Sequence, residues 1–134
     1  AAHGVAIWLY MRHRRAALSF SQRALAMTLL TLVPLLAWMM THDGLVALYA
    51  LIVAAMAASA WTSAFPRYRV GVGALMFVAS DLLIFLTMGP VGENPVSHAL
   101  IWPLYFGGQF LIATGVVQTL MRRDARMISD MRSR

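Results

Sequence analysis

The stretch VGVGALMFVASDLLIFLTM, Val70 to Met88, is apolar throughout except for hydroxyls and one carboxylate, Asp81, near its middle. A bilayer core of about 30 Å needs about 20 apolar helical residues to cross it, and this run meets that length. A charged group at that depth costs roughly 2.5–3.5 kcal/mol on insertion scales, so such residues are rare and face a polar interior. Low dielectric also disfavours a carboxylate anion. Asp81 is therefore a candidate proton donor or ion ligand.

The rest of the chain has the same character. Of its 134 residues, 60% are hydrophobic and 12% charged, with a mean hydropathy of +0.70, whereas soluble domains carry about 25% charged residues. Three further segments meet or approach spanning length: Ala24–Met40, Gly44–Phe65 and Ala99–Met121. A fifth, Ala1–Met11, is apolar but too short to cross, and the chain opens inside it without a Met or a signal-peptide n-region. The expected fold is all-α: a polytopic transmembrane helix bundle of four full spans plus a partial N-terminal helix. Residues 1–134 are expected to form a single integral-membrane domain, the C-terminal part of a longer protein.

Arginine orients the spans. All eleven basic residues are Arg and none is Lys, which suggests a GC-rich genome, and the net charge is +6. Arg12, Arg14, Arg15 and Arg23 lie in the first loop, Arg67 and Arg69 in the third, and the other five in the tail from Arg122 to Arg134. The second loop (Thr41–Asp43) and the fourth (Gly89–His98) contain none. With alternating spans every Arg falls on one side, which the positive-inside rule assigns to the cytoplasm. The net charge thus reports topology, and no nucleic-acid partner is expected. The protein is expected in a bacterial plasma membrane, with Arg-rich loops and C-terminal tail cytoplasmic. Met121, Ala125, Ile128 and Met131 recur at helical spacing in that tail, which is expected to lie at head-group level. Pro66, Gly89-Pro90 and Gly92-Asn94-Pro95 mark turns. Pro34 predicts a kink, with the Thr28 and Thr31 hydroxyls available to freed backbone groups.

Depth along the helices selects the neighbours of Asp81. At 1.5 Å per residue it lies roughly 10 Å below the outer end of its span, Tyr105 roughly 9 Å and Gln109 roughly 15 Å down the next one. Tyr105 and Gln109 are four apart and share a face. Gly107 and Gly108 beside them permit close approach of another helix. A cluster of Asp81, Tyr105 and Gln109 is therefore expected, with Ser80 beside it. His3 lies about 12 Å from the cytoplasmic side and Tyr49 about 8 Å below the outer surface. Each has a plainer reading: a helix–helix hydrogen bond for His3, an interfacial aromatic belt for Tyr49, backbone bonding for Ser59, Thr62 and Ser63. Trp38, Trp61 and Trp102 sit near span ends as belt residues. The chain has no HExxH, GxSxG or P-loop and no Cys, and His13, His42 and His98 fall in three separate loops. No metal site and no cofactor are expected.

The motif order resembles one family. Val46-Ala-Leu-Tyr-Ala-Leu-Ile-Val53 leading to Met56, Gly73-Ala-Leu-Met-Phe-Val-Ala-Ser-Asp81, and Tyr105-Phe-Gly-Gly-Gln-Phe-Leu-Ile112 follow one another as in the YhhN-like lysoplasmalogenases, and the match covers essentially the whole chain. This resemblance implies a membrane hydrolase that cleaves the vinyl ether of lysoplasmalogens, giving a fatty aldehyde and a glycerophospho-ethanolamine or -choline. It implies a two-carboxylate site, of which this chain carries Asp81. The family's Gly-Asp motif, in an earlier helix, has no equivalent here. Asp81 would be catalytic, with Tyr105, Gln109, Ser80, Tyr49 and His3 orienting substrate or water, and the partners would be lysophospholipid substrate and membrane lipids. Two other readings stand beside it. Asp81 would be the ion site of a proton- or ion-coupled transporter, or Gly71, Gly73, Gly107, Gly108 and Gly115 would dock a partner helix in a structural module.

Overall fold

The computed structural model describes residues 2–134, and 84% of the chain is helical with no strand among the described residues. Five α-helices follow in order: α1 (Ala2–Arg12), α2 (Phe20–Thr41), α3 (Gly44–Thr62), α4 (Val72–Met88) and α5 (Pro95–Arg132). A five-residue π-helical turn, Arg67–Gly71, leads directly into α4. Four stretches are long and apolar enough to cross a membrane: α2, α3, Arg67–Met88 and α5. The expected four spans and shorter N-terminal helix are therefore present. Ala1 lies outside the described residues.

Capping chemistry sets the helix ends. Ser19 and Gln22 form a reciprocal capping box: the Gln22 N–H donates to Ser19 Oγ (3.4 Å) and the Ser19 N–H to Gln22 Oε1 (2.9 Å). This starts α2 at Phe20, four residues before the expected Ala24. His42 ends α2 in the left-handed conformation (φ 51°), and Asp43 at once caps α3 by accepting from the Leu45 N–H at 2.8 Å. Asn94 caps α5 through the Val96 N–H (2.8 Å), with Pro95 in the first turn. That places the start of α5 four residues before the expected Ala99.

α3 and α4 form the centre. Half of the Arg67–Met88 window and 44% of the α3 window are buried, against 17% for α2 and for α5. Small residues permit this: Ala50, Ala54, Ala57 and Ala60 line the buried side of α3, and Ala74 that of α4. α2 packs on α3, α5 packs on α4, and α1 lies against α3. At the α4–α5 crossing a Cβ on Gly73 would stand 2.7 Å from the Gly108 carbonyl oxygen, and one on Gly108 equally close to the Gly73 oxygen. The two backbones touch where neither has a side chain. These glycines, with Gly115 against Val70, are used inside the chain. They are not a free face for docking a partner helix, as the structural-module reading would require.

All eleven arginines lie at one end of the bundle, and the loops there are tied together. Arg15 Nε donates to the Ser63 carbonyl (2.7 Å), the Ala64 N–H to the His13 carbonyl (2.6 Å), and Arg69 Nη1 to Gln118 Oε1 (2.6 Å). At the other end a side chain on Gly89 would collide with the Met40 carbonyl, so the ends of α2 and α4 meet without room for one.

The tail after Met121 is a continuation of the last span. α5 runs unbroken for 38 residues, about 57 Å, its last turns exposed, because no Gly or Pro interrupts the helix there. Pro34 lies inside α2, which runs on to Thr41. The Thr28 and Thr31 hydroxyls bond the carbonyls of Ala24, Met27 and Thr28. None reaches the Leu30 carbonyl, whose intrahelical donor Pro34 lacks.

Candidate active site

One face of α4 carries Phe77, Asp81 and Phe85, each one helical turn from the next and all buried. Asp81 is only 4% exposed, and its Oδ2 is fully buried without a hydrogen-bond partner among the described residues. An orphaned buried carboxyl oxygen is unfavourable, and buried polar groups are nearly always satisfied. This one therefore makes Asp81 the candidate around which a site is sought. Asp81 borders a cavity of about 420 Å³ between α3 and α4, lined also by Leu45, Val46, Tyr49, Ile84, Phe85 and Met88. Leu45 and Met88 lie at the arginine-poor end of the bundle. Asp81 lies seven residues along α4 from Met88, or about 10 Å deeper.

Tyr49 is the polar side chain beside the carboxyl, on the opposite wall of the same cavity. Its ring meets Phe85 edge-on (centroids 6.3 Å apart, 87°) and His3 edge-on (5.9 Å, 75°). His3 in turn packs against Phe77 (5.5 Å), and Phe77 against Tyr105 (5.1 Å). Phe85, Tyr49, His3, Phe77 and Tyr105 thus form a continuous chain of ring contacts, whose Tyr49 and Phe85 line the cavity with Asp81. These rings come from α1, α3, α4 and α5.

Of the residues singled out in the sequence, Tyr49 therefore lies beside Asp81, and His3 and Tyr105 join through the rings of Tyr49 and Phe77. Ser80 and Gln109 do not. The Ser80 hydroxyl is buried and donates to the Ile101 carbonyl of α5 at 3.3 Å, away from the cavity. Gln109 borders a separate space of about 90 Å³, with His3, Tyr10 and Met56. The helix register explains this. Gly73 faces Gly108 and Ser80 faces Ile101, seven residues apart on each helix. Asp81 is thus level with the first turns of α5, and Gln109 lies more than two turns nearer the arginine-rich end. The early start of α5 at Pro95 carries Tyr105 and Gln109 about 6 Å deeper than a helix beginning at Ala99 would. Asn94 followed by Pro95 was the available signal. Phe77 and Phe85, which wall the carboxylate, were also legible as the one-turn neighbours of Asp81 on the same face.

Among the described residues no three His, Asp or Glu side chains converge as metal ligands do. Ser59, Thr62 and Ser63 return their hydroxyls to carbonyls of their own helix, as their plainer reading expected.

The order and spacing of these elements match a known family model, described as the YhhN family, over residues 1–116. The chain belongs to the YhhN family. The match takes in every residue of the Asp81 cavity and ends within α5, so the exposed final turns lie outside the shared YhhN region. No curated protein and no solved structure matches the chain.

Proposed function

We propose that this YhhN chain is part of a membrane hydrolase that cleaves the vinyl ether of lysoplasmalogens, with Asp81 as a catalytic carboxyl. The carrying observation is a buried carboxylic acid with one unpartnered oxygen, on a residue that lines an apolar cavity between two spans. An enol ether is hydrolysed when an acid protonates its β-carbon, forming a C–H bond and leaving an oxocarbenium ion. Water then adds to the α-carbon and loses a proton. The resulting hemiacetal collapses, its C–O bond breaking to give a fatty aldehyde and a glycerol hydroxyl. The reaction consumes one water and no redox equivalent. It needs an acid close to an apolar chain, and Asp81 among Phe77, Phe85 and Ile84 meets that requirement. Its carboxylate form is also suited to stabilise the cation. Tyr49 is the hydroxyl best situated to hold the water or the glycerol oxygen. The complementary acid or base that such chemistry ordinarily uses is assigned to the family's Gly-Asp motif.

The substrate's head group remains at the arginine-poor surface while its ether linkage reaches the depth of Asp81, entering sideways between α3 and α4. The orientation that follows from the positive-inside rule puts this mouth on the non-cytoplasmic face.

The test is aldehyde release from a lysoplasmalogen by the protein in proteoliposomes. Asp81→Asn is expected to lower the rate by at least about 100-fold, the smaller contribution of a positioned general acid. Retained turnover would remove the basis of the proposal. Proton-coupled flux without lipid turnover would favour the transporter reading of the same carboxylate.

A further inference from the structure

At the opposite end of the molecule from Asp81 two hollows meet. One is an apolar cleft of about 460 Å³ between α1, α2 and α3, walled by residues including Met11, Met27, Leu30 and Ala58, with Ser59 and Thr62 as its uncharged polar groups. The other is a basin of about 470 Å³ walled by Arg14, Arg15, Ala16, Leu18 and Arg23. Arg14, Leu18 and Arg23 border both hollows, so the cationic basin opens directly onto the apolar cleft.

The arginines of the basin are not equivalent. Arg15 is engaged, donating through Nε to the Ser63 carbonyl. The guanidinium groups of Arg14 and Arg23 make no hydrogen bond or ion pair among the described residues, although both are fixed beside ordered backbone. Arg14 pairs with Ser63 in a short bridge, and Arg23 sits in the first turn of the capped α2. No acidic residue lies in this loop: Asp43 caps α3 at the far end, Asp81 is in the cavity there, Glu93 is in the far loop, and Asp124 and Asp130 are in the exposed last turns of α5, which lines neither hollow. Two uncompensated forks of N–H donors, held above an apolar slot at membrane level, match the chemistry of a phosphodiester carrying acyl chains. A free phosphate would satisfy the basin but leave the cleft unexplained. A neutral or zwitterionic lipid would fill the cleft but leave the positive charge uncompensated.

We infer that this basin and cleft form a binding site for an anionic diacyl glycerophospholipid, its phosphate between Arg14 and Arg23 and one acyl chain in the slot between α1, α2 and α3. The site is separate from the Asp81 cavity and does not depend on the reaction carried out there. Occupying it would fasten α1 and the first loop to the α2–α3 pair.

Lipid binding by the purified protein in detergent, read by native mass spectrometry and by the rise in unfolding temperature, tests this. Phosphatidylglycerol, phosphatidylcholine and inorganic phosphate serve as three separate probes. Phosphatidylglycerol is expected to bind and stabilise, and the other two are not. Because each surface arginine contributes about fivefold to anionic-lipid affinity, Arg14→Gln with Arg23→Gln should weaken phosphatidylglycerol binding roughly 25-fold. The unfolding temperature without added lipid should not change, since both side chains are exposed. Ala26→Trp, which fills the slot and leaves the charge intact, should also abolish the preference. Equal stabilisation by phosphatidylcholine would overturn the site, as would equal stabilisation by phosphate. So would unchanged phosphatidylglycerol binding in either variant. None of these readouts depends on aldehyde release.

Discussion

At the scale of single residues, Asp81 and Ser80 are adjacent in the chain and have opposite fates. They lie about 100° apart around the helix, so Ser80 faces α5 and straps it through Ile101 while Asp81 faces the cavity. Ser80→Ala should therefore leave aldehyde release within about twofold of the parent. It should cost about 1 kcal/mol of stability, the net worth of one buried hydrogen bond, measured by thermal unfolding in detergent. Tyr49→Phe keeps the edge-on contacts with His3 and Phe85 and removes only the hydroxyl. It is expected to lower turnover about tenfold, the worth of one hydrogen bond to a charged group, with the unfolding temperature unchanged. A Tyr49→Phe enzyme as fast as the parent would reduce Tyr49 to a wall of the cavity. Asp81 was legible in the sequence because a lone carboxylate in an apolar run is conspicuous on energetic grounds alone. The exclusion of Gln109 was not legible, because it depends on the vertical offset of α5 against α4.

At the scale of elements, that offset is set by a contact between two glycines. Gly73 and Gly108 each lie against the other's carbonyl oxygen, so neither tolerates a methyl group without separating α4 from α5. Gly73→Ala is expected to destabilise by about 1–3 kcal/mol, as overpacking a rigid contact does. The helix-propensity gain from Gly to Ala runs the other way, by up to about 1 kcal/mol. Gly4→Ala is the matching control, because a Cβ there meets nothing within 4 Å, and it should be neutral or slightly stabilising. Thermal unfolding of the two variants under identical conditions distinguishes them, and equal shifts would refute the register argument. The spans were legible because apolar length is a one-dimensional property. Their ends were misread by up to four residues where Ser19 and Asn94 cap, since a polar cap residue reads as loop until its partner N–H is known.

At the scale of the whole molecule, one end carries every arginine and the other carries the mouth of the Asp81 cavity. The absence of cysteine makes this polarity directly measurable. Single-cysteine variants Glu93→Cys and Ser129→Cys place a thiol at each end. A membrane-impermeant maleimide applied to intact spheroplasts should label Cys at position 93 and spare position 129 until the membrane is opened. The reverse pattern would invert the orientation and move the cavity mouth to the cytoplasmic leaflet. The loops at the arginine-rich end are joined by Arg15–Ser63 and His13–Ala64 hydrogen bonds, so the segregation of charge is built into the fold as well as its topology.

The sequence by itself determined what depends on composition along one dimension: four spans, their alternation, the arginine asymmetry and the single intramembrane acid. Each follows from transfer free energies between water and hydrocarbon, which sum residue by residue. Tertiary structure alone decided which side chains share a depth and a face with that acid. It turned Ser80 and Gln109 away, brought Tyr49 from α3 alongside, set His3 of α1 against Tyr49 and Phe77, and joined a basic basin to an apolar cleft at the far end. Those outcomes rest on how helices pack and align, as α4 and α5 do at Gly73 and Gly108, a relation between distant positions that no local pattern encodes.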